Sequence, residues 1–201
     1  MSANSQLTFD LANWTKLASI GSTCAISGLS QMVNKEFTVT AMNIEEVSMR
    51  NAAGLIGKAD DMVVGVYLLF SGNANGHILL TFQPDTAYEL VDMAMNATPG
   101  ISNSLGEVER SVLGEMGNIV GSFFLNGVAD CVGLRMIPSP PAVVEDMAGA
   151  LIGSVLAEAF LEAESWFVIK VLFGSESKAI EGRFMVLPSF EAKSSNCSGP
   201  G

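Results

Sequence analysis

The chain has 201 residues, 49% of them hydrophobic and 15% charged, which is the composition of a dense core and not of a disordered segment. Ten Lys and Arg against 21 Asp and Glu leave a formal charge of −11. No window clusters basic side chains, so nucleic acid is a poor partner. The least charged stretches, 17–34 and 62–84, are broken by polar residues and by Ser71-Gly-Asn-Ala-Asn-Gly, so no membrane span is expected. Cys24, Cys131 and Cys197 have no metal-ligand spacing, and no basic-then-apolar leader opens the chain. A reduced, cytoplasmic protein is the expectation.

In chain order, residues 15–34 carry apolar side chains at helical spacing. They are followed by a β-rich run at 37–42, a short helical segment at 44–56, a strand at 62–71 and a strand at 77–82. Pro84 then opens a helix, with Asp85 near its positive end. The plan repeats: a second long helix at 111–130, a strand at 132–137, a helix at 145–161 and strands at 166–174 and 179–187. An offset of 96 aligns Leu17 with Leu113, Gly21 with Gly117 and Leu29 with Leu125. Turn residues between the strand pairs predict antiparallel hairpins. Ala18, Gly21 and Ala25 in the first helix, and Gly114, Gly117 and Gly121 in the second, form small-residue stripes. Each helical Gly costs roughly 1 kcal/mol relative to Ala, so the stripes predict close approach of the two helices. The fold class is therefore α+β, a duplicated unit with pseudo-two-fold symmetry. The lone His77 falls in a strand and reads as structural.

On a wheel of about 100° per residue, Ser111, Glu115, Asn118, Ser122 and Asn126 fall within one narrow stripe of an otherwise apolar helix. Solvated helix faces are usually built from Lys and Glu, whereas this stripe is mostly hydroxyls and amides. Glu115 and Asn118 are one turn apart and project to the same spot.

These residues resemble the phosphatase motif of the CheC, CheX and FliY proteins of chemotaxis: Ser111-x3-Glu115-x2-Asn118, followed by Pro140-Pro141. Glu109-Arg-Ser-Val-Leu-Gly-Glu-Met-Gly-Asn-Ile, Leu125-Asn-Gly-Val-Ala-Asp, Leu134-Arg-Met-Ile-Pro-Ser-Pro-Pro and Asp146-Met-Ala-Gly-Ala-Leu resemble CheC in particular. The resemblance implies one CheC-like domain over 1–190, with repeats at about 10–96 and 104–190. The tail at 191–201 has no apolar periodicity and is expected to be disordered.

The activity implied is hydrolysis of the aspartyl phosphate on a CheY-type response regulator. Asn118 would orient the attacking water and Glu115 would pair with the partner's active-site Lys, with Ser111 and Pro140 as supporting motif residues. The resemblance implies no cofactor of the chain's own; Mg2+ would come with the phosphorylated partner. The first repeat departs from the pattern. CheC proteins often carry a second Glu/Asn pair, but the aligned positions here are Ser19 and Ser22, with no Pro near residue 44. A single site is therefore expected, with Ser19 and Ser22 as ordinary surface polarity. The deamidase CheD is implied as a second partner, on 145–161 and the adjoining strands. Two other readings compete: a non-catalytic adaptor for phosphorylated CheY or CheD, and, less favoured, a part of the flagellar switch.

Overall fold

The β-branched and aromatic runs Met62–Gly72 (β2) and Ser165–Ser175 (β6) become inner strands of one antiparallel sheet. The computed structural model describes residues 11–48, 54–159, 165–176 and 180–189. Their elements run α1 (Leu11–Val33), β1 (Phe37–Ser48), β2, β3 (Asn75–Phe82), α2 (Pro84–Ala94), α3 (Glu107–Val132), β4 (Met136–Pro138), β5 (Ala142–Met147), α4 (Ala148–Ala159), β6 and β7 (Glu181–Ser189). The sheet order is β1-β6-β7-β3-β2-β4, with β5 also paired to β2.

That order is a duplication with exchanged edges. Hairpin β2–β3 corresponds to hairpin β6–β7, and β3 meets β7 at the centre. The edge strand of the first repeat, β1, pairs with β6 of the second, while β4 and β5 of the second pair with β2 of the first. Helices α1, α2 and α3 cover one sheet face, burying Leu29, Leu90, Leu113 and Val120 against Val66, Leu68, Ile78 and Phe184. On the opposite face α4 packs Leu151, Ile152, Val155 and Leu156 against Val63, Leu79, Val168 and Met185. His77 lies on that face, with Tyr67 Oη 2.7 Å from its Nδ1 and Trp166 edge-on to its ring, in keeping with a structural role.

Several expected elements differ. Residues 44–48 extend β1 and are not helical: Ile44 pairs with Ile169 and Val47 with Trp166, and Lys170 Nζ meets Glu45 Oε1 at 3.0 Å. Non-local pairing overrides the weak local preference. The rest of the expected helix at 44–56 lies partly outside the described residues; 54–57 form a turn. The strand expected at 132–137 shrinks to β4, because α3 runs on to Val132 and ends at Gly133 in the left-handed region (φ 67°), whose N–H donates to Ala129 O at 2.8 Å. The helix expected at 145–161 begins only at Ala148, since 142–147 satisfy their backbone as β5 on the edge of β2. The expected disordered tail at 191–201 lies outside the described residues.

The small-residue stripes also divide. α1 and α3 do pack closely and antiparallel, through Gly21 against Phe124 and Val128, Gly28 against Ile119 and Phe123, and Gly127 against Cys24. The second stripe, however, faces elsewhere: Gly117 lies on Val66, Gly121 on Leu68 and Ile78, and Gly114 on Pro141 and Val143. These glycines lower α3 onto the sheet and its edge strand.

α2 holds the loop that leads into α3. The buried Asp92 carboxylate accepts the N–H groups of Gly100 (2.7 Å), Ile101 (3.2 Å) and Ser102 (3.0 Å). The Ser102 hydroxyl and these amides hold its pKa below the usual carboxylate value, against the opposing effect of burial. A depressed native pKa gives stability that is present above the unfolded value, about 3.9, and lost as pH falls through the native one. Asp92→Asn should therefore be less stable at neutral pH and lose less stability than the parent between pH 5 and pH 3, as read by urea midpoints.

Candidate functional site

The polar stripe of α3 lies on the face turned away from the sheet. Leu113, Gly114, Met116, Gly117, Val120 and Gly121 are buried, Ser111, Glu115 and Asn126 are exposed, and Asn118 and Ser122 are half-buried. Glu107 and Glu109 in the first turn suit the positive end of the helix.

Beside this stripe the edge strand is interrupted. Phe70 pairs with Pro138 and Tyr67 with Ala142, so four steps on the edge span three on β2. The same extra residue occurs in the first repeat, where β1 shifts register between Val39 and Ala41. Matching Phe70 to Phe173 equates Pro138 with Val39 and Ala142 with Asn43. Pro140 and Pro141 thus stand where the first repeat has Ala41 and Met42. In β1 those two residues remain paired with Leu172 and Val171, so the strand is continuous. Proline has no N–H to give a ladder, so in the second repeat the edge splits into β4 and β5.

An open cleft of about 660 Å³ lies between the split edge and α3. Ser111, Glu115 and Asn118 form its helical wall, with Pro138, Ser139, Pro140, Pro141 and Val143 opposite. The structure therefore brings Ser111, Glu115, Asn118 and Pro140 together. Among the described residues neither the Glu115 carboxylate nor the Asn118 carboxamide is engaged by another side chain, so both are free to meet an incoming group. Three contacts fix the rim. Arg110 Nη1 donates to Val143 O at 2.8 Å; Tyr88 Oη donates to Glu145 Oε1 at 3.1 Å; Ser139 exchanges backbone and side-chain bonds with Leu69. Burial, then the bond and charge of Glu145, push the Tyr88 phenol above its ordinary pKa, so it stays a donor. Arg110 and Ser139 were not singled out from sequence; the available signal was a hydroxyl directly before two prolines at a strand edge.

The first repeat has no equivalent pair. Ser19 is exposed, but Ser22 is only 1% exposed and its hydroxyl has no hydrogen-bond partner among the described residues, which corrects its reading as surface polarity. The reason is helical register: Ala18 and Ala25, one turn to either side, are fully buried. Asn118 sits in the same way between Gly114 and Gly121 but stays half-buried, lining the cleft. An unpaired buried hydroxyl costs about 1–3 kcal/mol. Ser22→Ala should thus raise the unfolding midpoint without altering any activity of the α3 cleft.

No group of three or more metal-binding side chains gathers among the described residues, and no helix among them is long and apolar enough to cross a membrane. Residues 108–145, which span the cleft, match the CheC-like family. Across 181 residues the chain is 24% identical to the CheY-P phosphatase CheC of Bacillus subtilis (strain 168), covering 88% of this chain and 87% of that one. In fold it is similar to FliY of Thermotoga maritima (TM-score 0.70, 16% identity, 90% of this chain and 91% of that one). It is also similar to a chain of the CheX-CheY-BeF3-Mg+2 complex of Borrelia burgdorferi (TM-score 0.53, 15% identity, 87% and 97%). The fold is thus similar to that of FliY and CheX structures, and the segment that builds the cleft is similar to the CheC-like family.

Proposed function

We propose that this protein hydrolyses the aspartyl phosphate of a CheY-type receiver at the α3 cleft, through Glu115 and Asn118. The observation that carries the reading is the joint presentation of a free carboxylate and a free carboxamide, one turn apart, at an open cleft, on a helix whose opposite face is packed into the core. The CheX relative in complex with CheY, and the relative named for CheY-P, support the partner class.

The chemistry needs little from this chain. An acyl phosphate is already activated, and Mg2+ would be held by the phosphorylated partner. What a docking protein can add is a water fixed in line with the phosphorus. The Asn118 amide can accept from that water while donating to a second group. Positioning supplies most of the catalysis in phosphoryl transfer. The Glu115 carboxylate would draw off the receiver's active-site Lys and orient the two proteins. Ser111 and Pro140 border the two residues and shape the approach. With Ser19 and Ser22 in place of a second pair, one site acts.

The test is to mix the purified protein with each phosphorylated receiver in turn and follow phosphate loss. Faster loss from a CheY-type receiver is expected. Unchanged decay for all of them, with binding that persists in Asn118→Ala, would instead identify an adaptor for the phosphorylated receiver or for CheD.

A further inference from the structure

We propose that Ser139 is a positioning residue, whose hydroxyl holds the Pro140-Pro141 lip at a set distance from Asn118. At the split edge, β2 still offers the N–H and C=O of Leu69. Pro140 and Pro141 have no N–H with which to continue the ladder. Ser139 closes the gap alone. Its N–H donates to Leu69 O at 2.8 Å, its Oγ accepts from Leu69 N at 3.0 Å, and its O–H donates to Pro140 O at 3.0 Å. One side chain thus replaces a missing ladder bond and fixes the orientation of the peptide that follows.

The lip then reaches the helix. Pro141 lies over Gly114, where a Cβ would stand 3.4 Å from Pro141 Cγ, one residue from Glu115 and one turn from Asn118. Beyond the lip, Arg110 holds Val143 O. The Ser139 end is the one pinned by a hydroxyl. The first repeat supplies an internal comparison: Thr40 occupies the equivalent place in β1, is exposed, and has paired residues on both sides, Val39 with Phe173 and Ala41 with Leu172. The ladder there continues without a pin.

This inference rests on the cleft being catalytic, and the experiment separates the two. Ser139→Ala, Ser139→Thr and Thr40→Ala are compared in the full chain by kcat and KM for receiver dephosphorylation. NMR follows the Leu69 amide exchange rate and the Asn118 side-chain amide resonance in the same variants. For Ser139→Ala we expect kcat to fall about tenfold with KM little changed, since sub-ångström loosening at a positioning group acts on the reacting geometry. Leu69 exchange should quicken and the Asn118 amide signal should shift. Ser139→Thr should restore all three, and Thr40→Ala should move none. An unchanged Asn118 signal in Ser139→Ala, or a loss that Thr does not rescue, overturns the proposal. If the parent protein does not hasten phosphate loss, the catalytic reading fails, and the NMR comparison alone decides whether Ser139 sets the lip.

Discussion

Asn118→Ala should slow dephosphorylation of the receiver several hundredfold while leaving the unfolding midpoint nearly unchanged. One group that positions the reacting water contributes roughly 3–4 kcal/mol to the transition state. Asn118 is half-buried at an open cleft and bonds to no other side chain among the described residues, so its removal should leave stability nearly intact. The loss should fall on kcat. Glu115→Ala should differ in kind. A carboxylate that pairs with a Lys of the receiver contributes to encounter and orientation, so its loss should raise KM and weaken the salt dependence of association. Single-turnover decay at saturating protein separates the two.

The second large effect is on α3 itself. Gly117→Ala should destabilise the protein and cripple the cleft, whereas Gly121→Ala should be tolerated. A Cβ at 117 would be forced against Val66 Cγ1 of β2, whereas a Cβ at 121 would meet Ile78 Cδ1 and Leu68 Cδ2 at an ordinary 3.6 Å. Overpacking of that kind costs about 1–3 kcal/mol, only partly offset by the roughly 1 kcal/mol that Ala gains over Gly in a helix. The strain at 117 is relieved by lifting α3, which carries the neighbouring Asn118 with it. Gly121→Ala has the helical gain without the clash and should raise the unfolding midpoint by about 2–4 °C per kcal/mol.

The duplication and its hairpins were readable because β2 and β6 repeat an apolar pattern before comparable turns. The polar stripe of α3 was readable because amides and hydroxyls at one angle are unusual on an apolar helix. The exchange of edge strands was not, since pairing of β1 with β6 joins residues far apart in sequence. Hence residues 44–48 and 145–147, whose conformation depends on a partner strand, read as helix from local pattern alone. The glycine stripes gave close approach correctly but not the surface approached. Gly117 could face α1 or the sheet on the same pattern, and only the assembled layers decide. Ser22 followed the same logic: its place between Ala18 and Ala25 marked a buried face, but its polar side chain suggested surface. The role of Pro140 was carried by resemblance; its cause, a split in an edge strand that is continuous in the first repeat, became visible only in the sheet register.

The most direct measurement is the structure of this protein bound to a CheY-type receiver carrying beryllofluoride and Mg2+ in place of the aspartyl phosphate. The account predicts the receiver seated on the α3 cleft, with the Asn118 carboxamide entering its active site to within about 3 Å of the phosphate mimic or its water. Glu115 should lie against the receiver's Lys. A receiver bound on α1, on α4 or across the sheet edge at β1, with Asn118 left in solvent, would contradict it.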